Sequence, residues 1–136
     1  MRDTHTLDTK VLTIDTESRR PIYEQLADGL KELIARGELR PGVTLPPVRQ
    51  LAADLSVNLN TVAVAYRQLQ VEGLIRVRHG SGAVVLSRTS AEHSQAELRK
   101  PLRGALTELV LSGLPKAKIM RMVAEELSFL LKGIER

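Results

Sequence analysis

One run constrains the fold more than any other part of this chain: Leu45-Pro46-Pro47-Val48-Arg49-Gln50-Leu51-Ala52-Ala53-Asp54-Leu55-Ser56-Val57-Asn58-Leu59-Asn60-Thr61. Leu51, Ala52 and Leu55 recur at helical spacing, which predicts a helix from about Pro47 to Leu55 with an apolar inner face. Ser56-Val57 interrupts the pattern and reads as a tight turn. Asn58 then suits an N-cap, because its side-chain oxygen can accept from the backbone N–H groups two or three residues on. The next helix runs to about Glu72, with Val62, Ala65, Tyr66 and Leu69 spaced to bury inward. Asn60, Ala63, Val64, Arg67 and Gln68 fall on the opposite face, and Gly73 is placed to stop the helix. Two helices joined by a tight turn, the second opening with short polar side chains, have the layout of a helix-turn-helix.

The flanking segments extend that unit. Pro21 can open a helix, since a first-turn N–H has no intrahelical partner, and Ile22, Leu26, Leu30, Leu33 and Ile34 share one face of it. Gly37 stops this helix, Pro41-Gly42 makes a turn, and Val43 to Leu45 reads as a short strand. Val11 to Ile14 alternate apolar and polar, predicting a short extended segment. After the second helix of the pair, two apolar runs, Leu74 to Val77 and Ala83 to Leu86, flank Arg78-His79-Gly80-Ser81-Gly82. This is a basic, glycine-rich hairpin, and it reads as a wing. The fold class is therefore mainly α with a small β hairpin: a winged helix-turn-helix followed by a helical tail. The divisions expected are an N-terminal extension over 1–20, the winged domain over 21–87, a Ser/Thr-rich linker over 88–96 and a helical domain over 97–136.

Composition narrows the functions open to such a chain. Its length of 136 residues suits one domain with an appendage. Only 2% of residues are aromatic, so there is no stacking platform for single-stranded bases. There is no cysteine, which excludes disulfides and thiolate metal sites and fits a reducing cytoplasm. No apolar run reaches the length of a membrane span, and the N-terminus lacks an apolar signal core. The net charge of +4 is modest, but its placement is informative. Residues 65–88 carry Arg67, Arg76, Arg78 and Arg88 against Glu72 alone, whereas residues 1–20 balance to zero. Basic charge gathered at the second helix and its hairpin suits a phosphate backbone. His5, His79 and His93 lack metal-ligand spacing, so neither a metal nor a cofactor is expected. No nucleophile–base pair, phosphate loop or paired carboxylates appear, so no catalytic residue is assigned and no enzyme is expected.

The tail shows two further amphipathic patterns. Leu98, Leu102, Leu106, Leu109 and Val110 share a face in the first. Ile119, Met122, Val123, Leu127, Leu130 and Leu131 share one in the second. Gly113 and Pro115 separate them, Pro101 and Gly104 should bend or delay the first, and Phe129 falls close to the buried side. Two short helices cannot bury both stripes by themselves. Pairing with the same helices of a second copy would cover them through a two-fold interface, which makes Leu98, Leu102, Leu106, Leu109, Ile119, Met122, Val123, Leu127 and Leu130 the expected dimer contacts.

Pro21 to Val85 resembles the winged helix-turn-helix domain of GntR-family bacterial transcription regulators. The matching residues are Pro21-Ile22-Tyr23, Gly37-Glu38-Leu39-Arg40-Pro41-Gly42, Leu45-Pro46, Val48-Arg49-Gln50-Leu51-Ala52, Asn60-Thr61-Val62, Glu72-Gly73-Leu74-Ile75 and Gly80-Ser81-Gly82. The Asn58-x-Asn60-Thr61-Val62 string, Ala65-Tyr66 and the short two-helix tail are most similar to the YtrA-like subfamily. The resemblance implies a cytoplasmic homodimer that binds an inverted repeat in double-stranded DNA, usually as a repressor. Three positions depart from the family pattern. Pro47 replaces a capping residue, Leu59 stands where Pro or Arg is common, and Ala63 stands where several branches have Arg. The operator therefore does not carry over from relatives.

The resemblance and the side-chain chemistry together nominate contacts. Arg49 can reach guanine or phosphate in bidentate fashion. Asn58 and Asn60 can pair with adenine on two edges, and Thr61 can touch phosphate or a thymine methyl. Arg67 and Arg78 are placed for phosphate. His79, Gly80 and Ser81 form the wing tip, where glycine allows close backbone approach. Each has a plainer counterpart: a solvated arginine in an ion pair, Asn58 as a cap and nothing more, an ordinary hairpin turn. Two rival readings keep the same fold. One is a protein-docking winged helix. The other is a regulator that senses a small molecule at its dimer interface, of a kind the sequence does not specify.

Overall fold

The computed structural model describes Leu7 and residues 9–78, 82–87 and 95–132. Backbone contacts divide the chain into two units, residues 1–87 and 88–136.

In the first unit a turn of 3-10 helix, Thr9–Val11, precedes helices α1 (Ile22–Ala35), α2 (Val48–Leu55) and α3 (Leu59–Val71). Strand β1 (Thr44–Leu45) lies between α1 and α2, and β2 (Ile75–Arg78) and β3 (Gly82–Val85) follow α3. The core consists of inward stripes that the spacing predicts. Leu26, Ala27, Leu30 and Leu33 come from α1, Leu51 and Ala52 from α2, and Val62, Ala65, Tyr66 and Leu69 from α3. Helix α3 packs on both α1 and α2, so it is held along its inner side while its outer side stays open.

Two expectations are corrected and one is extended. The segment Val11–Ile14 is not extended: Thr9–Val11 is helical and drives Leu12 into the core, where it meets Gly29. The hairpin is part of a larger sheet, of order β1-β3-β2, with β1 pairing antiparallel to β3 through Thr44↔Val84 and Leu45↔Ala83. A two-stranded hairpin is marginal by itself, and β1 gives its inner strand a second partner. Third, Gln95 and Ala96, expected in the linker, already belong to a helix.

The second unit holds α4 (Gln95–Leu111) and α5 (Lys116–Leu131). Helix α4 runs through Pro101 without delay, because the missing N–H costs one bond that exposed carbonyls can return to water. The two helices are not packed against each other as α1 and α3 are. Among their described residues only Ile119 is buried, while Leu98, Leu102 and Leu127 remain about half exposed at 54%, 53% and 50%. Phe129, expected near a buried side, is exposed.

Candidate nucleic-acid interface

Three short stretches build one surface. Helix α3 opens at Asn58, whose side-chain Oδ1 accepts from the Asn60 N–H at 2.7 Å. The cap that the sequence predicts is therefore made, and it leaves the first turn of α3 exposed at Asn58, Leu59 and Asn60. Helix α2 enters through Pro47 with no side-chain cap, as expected for a proline at that position. Ser56 then takes a left-handed conformation, with φ of 57°, and turns the chain from α2 into α3.

An open groove of about 610 Å³ runs between these elements and the wing. Arg49 of α2, Asn60 of α3 and Arg78 of β2 line it together. Among the described residues no carboxylate lines it, and the guanidinium groups of Arg49 and Arg78 have no ion pair. Arg67 is exposed farther along α3, and Thr61 is half-buried; neither lines the groove. Glu72, the one acid in that part of the chain, pairs with Lys31 of α1 at 2.9 Å at the far end of α3. The positive character of the groove is thus undiluted. His79, Gly80 and Ser81 lie outside the described residues, as do His5 and His93. No group among the described residues could hold a metal ion.

Several residues that matter here escaped sequence reasoning. Tyr66 reads as simple core, and it is fully buried, yet its hydroxyl donates to the Pro46 carbonyl at 2.6 Å. Burial pushes the ionisation of that hydroxyl well up, so it stays a neutral donor. Gly82 reads as a turn glycine. In the structure it has φ of 87°, and a Cβ there would come within 2.2 Å of the Leu45 carbonyl oxygen. The Leu45–Pro47 elbow is therefore gripped by α3 on one side and by β3 on the other. Gln70 makes a third tie: the Val77 N–H of edge strand β2 donates to Gln70 Oε1 at 2.6 Å, which joins wing to helix. Leu59, Ala63 and Val77 also line the groove, and none of them signals polar recognition.

Known proteins place this geometry. Residues 22–85 match the profile of the bacterial regulatory proteins of the gntR family. The HTH-type transcriptional repressor YtrA of Bacillus subtilis (strain 168) is 32% identical over 118 residues, spanning 85% of this chain and 91% of that protein. The chain belongs to the GntR family. Among solved GntR-family structures, YtrA from Sulfolobus acidocaldarius matches with a TM-score of 0.60 and 44% identity, over 71% of this chain and 98% of that one. A structure described as a transcriptional antiterminator from Listeria monocytogenes EGD-e matches with a TM-score of 0.78 and 31% identity, over 88% of this chain and 91% of that one. This GntR-family chain is YtrA-like, a DNA-binding regulator of transcription with a helix-turn-helix and not an enzyme.

Proposed function

We propose that the chain is a cytoplasmic homodimeric repressor that reads an inverted repeat in double-stranded DNA. One observation carries the reading: the exposed first turn of α3, an arginine from α2 and an arginine from the wing converge on a groove that no carboxylate among the described residues lines. In a winged helix-turn-helix the first turn of the second helix leads into the major groove. Arg49 and Asn60 then supply base-edge contacts, with Thr61 beside them, and Arg67, Arg78 and the His79–Ser81 tip supply phosphate contacts. Asn58 acts first as the cap that presents this turn.

The tail supports the homodimer. Helices α4 and α5 have no buried core of their own, and each leucine side chain taken out of water contributes about 2 kcal/mol. A second copy presenting the same stripes covers both sets through an isologous interface. Residues 21–87 then read one half-site each, and residues 97–136 set the half-site separation. Repression rests on similarity to the Bacillus subtilis repressor.

Selection of bound duplexes from a random pool tests the proposal. The expected product is a palindromic sequence, bound with an affinity that falls steeply as salt rises, with a log–log slope of about −0.9 per phosphate neutralised. Salt-insensitive capture of a protein, with no duplex enriched, would instead support the docking reading.

A further inference from the structure

Leu59 is the first residue of α3, and it is 43% exposed. A large aliphatic side chain left partly in water at the leading edge of a helix gains free energy when a partner covers it. Ala63 lies one helical turn later on the same side. Both line the groove with Asn60 and Arg49, so an apolar stripe runs beside the polar one on the surface that faces DNA.

Only one feature of a base-pair edge in the major groove is apolar: the 5-methyl group of thymine. Resting on the DNA-binding reading above, we infer that Leu59 and Ala63 are specificity-determining residues that contact pyrimidine 5-methyl groups in each half-site. Asn60 is adjacent in sequence and reads polar edges, so the methyl contact lies next to a hydrogen-bonded base. The small Ala63 side chain leaves the room that lets Leu59 lie flat over a methyl. The same chemistry accepts 5-methylcytosine in place of thymine at that step.

The test uses the full chain and the duplex enriched from a random pool. Each thymine of the half-site is replaced in turn by deoxyuridine, which removes only the methyl. Binding is measured for the parent chain, Leu59→Ala and Ala63→Ser, with thermal melting to confirm that both variants stay folded. The expected result is one or two positions where uracil weakens the parent chain about fourfold per methyl removed. At those positions Leu59→Ala binds thymine and uracil duplexes equally, Ala63→Ser discriminates less, and 5-methylcytosine is bound better than cytosine. Uniform tolerance of uracil, a half-site without thymine, or full discrimination by Leu59→Ala would each overturn the assignment while leaving the DNA reading standing. Failure to enrich any duplex would overturn both.

Discussion

The residues that decide how this surface works are of two kinds: those that meet DNA and those that hold them. Arg49 belongs to the first. It is exposed and lines the groove, and it contributes nothing to the core. Arg49→Ala should weaken operator binding about 10- to 100-fold and relax base preference at one position, with melting temperature and dimer mass unchanged; normal footprinting by this variant would remove Arg49 from the interface. Tyr66 belongs to the second kind. Tyr66→Phe strands the Pro46 carbonyl and should cost about 1–3 kcal/mol in denaturant unfolding. Its titration adds a pH signature. The hydroxyl, normally ionising near 10.0, is held protonated in the folded chain, so the native state binds its proton more tightly than the unfolded state. The contribution is present in full below about pH 10 and lost as pH rises toward the folded value. The unfolding midpoint of the parent chain should therefore fall more steeply in alkali than that of Tyr66→Phe.

Between elements, the Leu45–Pro47 elbow unites the helix pair and the wing. Tyr66 reaches it from α3 and Gly82 abuts it from β3, so both contacts fix where the elbow sits beside the groove. A side chain at Gly82 meets backbone, which cannot swing aside, and also needs a left-handed φ. Gly82→Ala should cost several kcal/mol, on the order of the more severe point substitutions, and calorimetry would show a large drop in Tm. A gentler perturbation is available at Gln70, which is exposed. Gln70→Ala frees the Val77 N–H of edge strand β2 to water, so stability should change by less than about 1 kcal/mol. The wing would lose its tie to α3, and duplex affinity should fall more than stability does. Equal affinity for the two chains would show that the sheet alone orients the wing.

For the molecule as a whole, the core and the candidate DNA surface lie in one unit, and the exposed apolar stripes lie in the other. The buried core cluster runs from Leu12 to Val85, so residues 1–87 carry their own core. The described residues of the tail bury only Ile119, and in the proposed homodimer the exposed leucines gain burial from the second copy. Truncation after Ser87 should therefore give a folded monomer whose affinity for a palindromic operator falls by the loss of linked half-sites, commonly 10²-fold or more. Sedimentation of the fragment at micromolar concentration checks this, and a dimeric fragment would relocate the interface to the winged unit.

Periodicity determined the three core helices, most of their inward residues and the outward face of α3, because burial on a helix repeats every 3.6 residues and is written locally, while side-chain chemistry gave the Asn58 cap. The motif string carried the family. The position of Gly73 also marked a helix stop, which φ of 79° bears out. What only the tertiary structure decided depends on partners distant in sequence. The sequence reads a short strand near Thr44–Leu45, but not that β1 pairs with β3 rather than standing apart from the hairpin. The Tyr66–Pro46 bond spans twenty residues, and the crowding of Gly82 comes from Leu45, which no local window contains. The helix at Thr9–Val11 follows from the same cause, since Leu12 gains burial against α1 that an alternating strand would not provide. Local patterning is set by a residue's neighbours along the chain, whereas packing is set by neighbours that only the closed fold brings near.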